Sequence, residues 1–184
     1  MLARPYSLIA LVLLALVLGA CGSTDTVPED RFYRLTPVAV GPLKTPLIDD
    51  TLVIAPVLSY DVYRDRAIAY NPIDEPASLQ HHHYHFWVAP PTELVHEHLV
   101  DFLRQAGVAR SVSVAARGRS AAPALLSTRL ARFERTLKDG GSVDFGVTLE
   151  FTMKIDGKKV LQRRYNTTTP ASDDSFAATV EAAE

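Results

Sequence analysis

Apolar and polar positions alternate most regularly near the C-terminal end of the chain. From Val143 to Ile155 every odd position is apolar (Val143, Phe145, Val147, Leu149, Phe151, Met153, Ile155), and the even positions hold Asp144, Gly146, Thr148, Glu150, Thr152 and Lys154. A period of two predicts a strand with one face on a core and one wet face, and a wet face argues for antiparallel neighbours. Asp156-Gly157 supplies a hairpin turn, because glycine enters positive φ without strain. "KKVLQRRYNTT" then returns as the partner strand. "LLSTRLARFERTL" (125–137) precedes the pair as a third strand, joined through "KDGGS". Upstream the period changes. Leu94, Val95, Leu99, Phe102, Leu103 and Ala106 recur at three- and four-residue steps, which predicts a helix with one apolar stripe. Pro90-Pro91 opens it, with Thr92 as its cap or Pro91 in its first turn, and Gly107 closes it.

Shorter runs predict further strands: "RFYRL" (31–35), stopped by Pro37; "TLVIAPV" (51–57), buried; "RAIAYN" (66–71); "HYHFWV" (83–88); and "SVSV" (111–114). Residues 41–50 and 72–80 carry Gly41, Pro42, Pro46, Pro72 and Pro76 and read as loops. "SDDSFAATVEAAE" begins a closing helix of about three turns, with Ser172 as cap and Asp173 and Asp174 at its positive end. The pattern predicts one α/β (α+β) two-layer domain over residues 31–184. It has a mixed sheet, a C-terminal antiparallel three-stranded meander and two packed helices.

The longest apolar run, "YSLIALVLLALVLGA" (6–20), lies at the start behind Arg4. It is short for a bilayer span of about 20 residues and has the build of a secretory signal peptide. A retained anchor helix is the alternative. Leu18-Gly19-Ala20-Cys21 resembles the lipobox of bacterial lipoproteins, in which the cysteine sulfur receives a diacylglyceryl group and the preceding bond is cut. Cys21, the single cysteine, is then a lipid attachment point, and no disulfide forms within the chain. Residues 1–20 are read as the lipoprotein signal peptide and 21–30 as a lipidated tether, polar, without periodicity, and roughly 30 Å long when extended. Gly22 after the cysteine, where Asp resembles an inner-membrane retention signal, leans toward the outer membrane on its periplasmic face; the inner membrane is the alternative.

Removing residues 1–20 from 184 leaves 164, enough for one ordinary domain. Arg4 is the only charge removed, so 18 basic residues face 21 acidic ones and the formal charge moves from −2 to −3. That balance gives no reason to expect a nucleic-acid partner.

All six histidines lie in "HHHYHFWVAPPTELVHEH" (81–98). A strand that begins early would place His81, His83 and His85 on one face, and imidazole suits zinc or copper. Against this, His96 and His98 are about 200° apart on a helix, and nothing completes a known ligand spacing. The simpler reading is a polar strand running into a helix, with no cofactor. No nucleophile elbow, phosphate-binding glycine loop or His-Glu-x-x-His motif is present, and the expectation is a protein that is not an enzyme.

Read in order, "FYRL", "LVIAPV", "YRDRAIAYN", "YHFWVAPPTELVHEHLVDFLRQAG", "LARFERTL", "VTLEFTM", "DGKKVLQRRY" and "FAATVEAA" resemble the auxiliary lipoproteins of ABC-type lipid transport systems, the group that includes paraquat-inducible protein C. The resemblance covers nearly the whole mature chain. It implies a non-catalytic accessory that docks an MCE-domain protein carrying phospholipid between the inner and outer membranes, with possible homo-oligomerisation. The histidine-rich 81–85 segment is not a feature of that family. The alternatives are a periplasmic metal-binding lipoprotein using the 81–98 histidines, and an envelope-structural or cell-wall-enzyme-activating lipoprotein. The candidate partner-binding residues are Tyr60, Tyr63, Arg64 and Arg66 in the loop after the buried strand, with Trp87. Tyrosine, tryptophan and arginine concentrate binding energy at interfaces, and loops at sheet ends are free to bind.

Overall fold

The strand with the strictest alternation lies beside the axis of the sheet. The computed structural model describes residues 28–75, 77–115 and 122–184, and the following element bounds refer to these. In chain order come β1 (Arg31–Tyr33), β2 (Ile48–Ile54), β3 (Leu58–Ser59), a 3-10 turn (Asp61–Arg64), β4 (Ala67–Asn71), β5 (Gln80–Trp87), α1 (Pro91–Gln105) and β6 (Ala109–Val114). Then follow β7 (Ala124–Leu137), β8 (Val143–Ile155), β9 (Lys158–Pro170) and α2 (Phe176–Ala183).

All the strands form one sheet that forks at β7. One edge of β7 pairs antiparallel with β8 from Ala124 opposite Ile155 to Leu137 opposite Val143, and β9 adds outside β8. The other edge is shared by three parallel strands in succession: β2 at Ala124–Leu126, β3 at Arg129 and Leu130, and β4 at Arg135 and Thr136. β6 extends the first branch. β5 and then β1 extend the branch that starts at β4. Asp156 and Gly157 both take positive φ, 49° and 74°, the conformation of a type I′ hairpin turn.

β7 does not read as a clean alternation because it carries a bulge. Leu130 faces Leu149, but Arg132 faces Thr148, so Ala131 is one residue too many. Its buried apolar side chains are therefore even-numbered before the bulge (Leu126, Leu130) and odd after it (Phe133).

Both helices contribute to the core. Leu94 and Val95 of α1 and Ala182 of α2 join Ile68, Trp87, Leu130, Phe133 and Phe145 in one cluster, with Phe176 and Val180 packed against it. Farther along α1, Val100 meets Leu52, Ile54, Ala109, Ala124 and Leu126. The Trp87, Phe133 and Phe145 rings lie 4.9–6.1 Å apart in tilted and edge-on pairs, arrangements that aromatic quadrupoles favour.

The predicted α/β architecture, meander and two helices are present; several strand bounds shift by a few residues, and two further details differ. The cap of α2 is Ser175, whose Oγ accepts the Ala178 N–H at 3.1 Å, so the helix starts later than the Ser172 reading and has about two turns. The even face of β8 is dry at its start. Asp144 pairs with Lys138, the Arg132 guanidinium lies over Gly146, and Thr148 donates to Asn166 at 2.6 Å. Long side chains from neighbouring strands fold back over a face that the alternation alone left open.

Candidate functional site

The histidine strand has an irregularity that alternation cannot show. Ala67 faces Phe86, so a regular antiparallel step would set Ala69 opposite Tyr84; His81 occupies that place instead. β5 thus holds three residues more than its partner across this step, and residues 82–85 depart from simple in–out order. His82 and His85, three apart, consequently meet the same side chain, Phe176 of α2. The His85 ring stacks on it at 3.5 Å and 6°, and His82 meets it edge-on at 4.7 Å. Tyr33 stacks against both His85 and Phe176, and its hydroxyl lies 2.9 Å from His85 Nδ1.

Arg135 completes this clamp. Its guanidinium sits 4.3 Å above the Phe176 ring, donates to the Asp174 carbonyl at 2.7 Å and lies 3.2 Å from His82 Nε2. A guanidinium can only donate, so His82 Nε2 accepts and the imidazole is neutral. Burial, reinforced by Arg135, His85 and His83, pushes the His82 pKa down to about 4. His85 is lowered too, by burial first and then by Arg31 and Arg135. Burial likewise lowers Arg135.

His81, His83 and His85 are not brought together. His81 Nε2 donates to the Val62 carbonyl at 3.2 Å, exposed His83 neighbours Tyr84, and His85 belongs to the Phe176 clamp. Among the described residues no group of three His, Cys, Asp or Glu side chains is placed to hold a metal ion. His96 and His98 point to different sides of α1. The first lines a cleft with Pro56 and Arg64, and the second an apolar groove with Leu99 and Phe102.

The five candidate partner-binding residues separate into two groups. Tyr63 and Trp87 are core residues, 3 % and 0 % exposed, and offer no contact surface. The 3-10 turn points Tyr63 inward, where its hydroxyl donates to the Glu134 carboxylate; Glu134 also takes Arg132 Nε at 3.0 Å. Burial and Glu134 raise the Tyr63 pKa. Tyr60, Arg64 and Arg66 are exposed as expected. Tyr60 lies under the Arg129 guanidinium at 4.6 Å, Arg64 pairs with Asp61 at 3.3 Å, and Arg66 lies 5.6 Å over Phe32. Leu58, which sequence reading passed over, is 68 % exposed beside them. Leu58 and Arg64 line a cleft of about 640 Å3 whose far wall is the first turns of α1, Pro90 to Glu97. Leu58, Tyr60, Arg64 and Arg66 together form an exposed apolar and cationic patch at the end of β3.

Residues 33–184 match the model of the ABC-type transport auxiliary lipoprotein component family. The chain belongs to this family. As a family member, this auxiliary lipoprotein is a membrane-anchored envelope protein that serves an ABC-type transport system. Cys21, the expected anchor, lies outside the described residues. No curated protein matches the chain. The fold is similar to the crystal structure of protein XCC0632 from Xanthomonas campestris, with a TM-score of 0.71 at 21 % identity over 83 % of this chain and 85 % of that one. It is also similar to the crystal structure of an uncharacterized protein, with a TM-score of 0.60 at 15 % identity over 84 % and 88 %.

Proposed function

We propose that this auxiliary lipoprotein is held by a lipid on Cys21 at the periplasmic face of the outer membrane. There it docks an MCE-domain protein of a transport system that moves phospholipid between the two membranes. Residues 21–30 serve as the tether and residues 31–184 as the docking domain, which acts by binding. The family match over residues 33–184 carries the reading. Among the described residues no helix is long and apolar enough to cross a membrane, in keeping with attachment through a lipid. Tyr60, Arg64 and Arg66 supply exposed side chains of the types that binding hot spots favour, with exposed Leu58 beside them.

The test is calorimetry or pull-down against the partner's periplasmic domain. Tyr60→Ala with Arg64→Ala should leave the circular dichroism spectrum unchanged and weaken binding. Each hot-spot truncation costs about 2 kcal/mol, roughly a thirtyfold loss in affinity. Unchanged affinity in the folded double variant would remove the Tyr60 patch from the interface. Absence of any complex with the unmodified protein would remove the MCE partner.

A further inference from the structure

β9 is the longest open edge of the sheet. Among the described residues it pairs with β8 alone, over 13 residues, whereas the edge strands β1 and β6 have 3 and 6. Its outer row of backbone N–H and C=O groups is a template for one more strand. Every residue of β9 except Thr169 is exposed. The strand carries Lys158, Lys159, Arg163 and Arg164 and no acidic residue. Beside it lies a cleft of about 500 Å3 to which Arg129 adds a further cation and Glu150 the one carboxylate, 3.4 Å from Arg164.

Charged side chains on an edge often serve to discourage pairing. Here Val160, Leu161 and Tyr165 lie exposed on the same strand at 55 %, 40 % and 59 %, which works against that purpose. We propose that β9 is a docking edge for an extended, acidic segment of another protein, which adds to the sheet as a further strand. The outward backbone groups supply strand hydrogen bonds, as in β-augmentation. Gln162 and Arg164 alternate with Leu161, Arg163 and Tyr165, so the incoming strand meets a cation on each face. The basic edge selects carboxylates and speeds encounter.

A second copy of the chain is a poor occupant. Antiparallel self-pairing about Leu161 sets Lys158 opposite Arg164 and Lys159 opposite Arg163. Full overlap of β9 with itself sets Arg164 opposite its own copy. Like charges directly opposite each other destabilise a strand pair.

The experiment is hydrogen exchange of the full-length lipidated protein in non-ionic detergent, followed over residues 158–170. The probe is a synthetic peptide of about nine residues alternating Glu with Thr, with a Lys/Thr peptide as its control. The Glu/Thr peptide should slow exchange of the outward β9 amides at least about tenfold, and the Lys/Thr peptide should not. Arg163→Glu with Arg164→Glu, and separately Lys158→Glu with Lys159→Glu, should abolish the protection while circular dichroism stays unchanged. Three results would overturn the proposal: no protection at millimolar Glu/Thr peptide, protection that rises with protein concentration alone, or protection by phosphatidylglycerol vesicles without protection by the peptide. The second would assign the edge to another copy of the chain, and the third to an anionic membrane surface.

Discussion

Single residues decide where this protein is sensitive. His82 is neutral in the folded state: burial first, and then Arg135, which donates toward Nε2, lower its pKa from 6.5 to about 4. The groups facing it are Arg135 from β7, Tyr70 from β4, and His83 and His85 from its own strand. The unfolded chain binds the proton more readily, so the stability linked to neutral His82 is present above about pH 6.5 and is lost as pH falls toward about 4. Thermal unfolding of the wild type should therefore fall more steeply between pH 6.5 and 4 than that of His82→Gln; parallel curves would exclude this linkage. Gly146 is sensitive for a steric reason. A Cβ there would lie 2.2–2.6 Å from the Arg132 guanidinium, which also donates to Glu134 at 3.0 Å and Thr136 at 2.7 Å. Gly146→Ala forces Arg132 aside and strips a charged partner from buried Glu134, a cost of about 1–3 kcal/mol. Urea denaturation reads it as a lower midpoint at unchanged slope. Neither effect was legible in the sequence, where Gly146 is one more even position and His82 one of a run of histidines.

At the scale of elements, legibility followed regularity. β8 could be bounded from its alternation because it carries no extra residue of its own: the bulge in this pairing adds Ala131 on β7. The type I′ turn and the α1 stripe were equally visible, since each rests on local chemistry. β5 was not, because its three extra residues destroy the period on which the facing argument depends. Alternation also separates two faces without saying which is buried. Tyr84, Phe86 and Val88 form the more apolar set, yet Trp87 is the side chain sealed in the core. Likewise the consecutive pair Glu134-Arg135 puts charges on both faces of one strand, so at least one face had to bury a charge. Both are buried, at 7 % and 3 % exposure. The short helix α2 is held by what these residues build. Phe176 lies against His85, Tyr33, His82 and Arg135, and Ser175 caps the first turn. Phe176→Ala removes the ring that all four contact and should cost about 2–4 kcal/mol, less than a fully buried Phe at the top of the range. Ser175→Ala should cost about 1 kcal/mol. Hydrogen exchange should show residues 176–183 opening before the β7–β8 pair in the Phe176 variant; equal protection of both would mean that the aromatic clamp does not hold the helix.

For the whole molecule, the decisive feature of the sequence lies before the described residues. The sheet and its two helices enclose two apolar clusters, and among the described residues no helix is long and apolar enough to cross a membrane. Under the proposed function, attachment to a membrane would run through Cys21, placed at the end of Leu18-Gly19-Ala20-Cys21 and ten residues ahead of the first strand residue, Arg31. A thioether-linked diacylglyceryl group provides two acyl chains. Each buried methylene contributes about 0.8 kcal/mol, and two chains turn marginal, reversible binding into stable anchoring. Cys21→Ser removes the sulfur that would carry the lipid and leaves the sequence of residues 31–184 unchanged. The expected outcome is a folded protein that takes up no clickable fatty acid in metabolic labelling and is not anchored through position 21, with the α1 and β7–β8 amides protected as in the wild type. Label retained by the Cys21→Ser chain would disprove acylation at this position. Loss of label together with loss of protected amides would instead show that the domain depends on its anchor to fold.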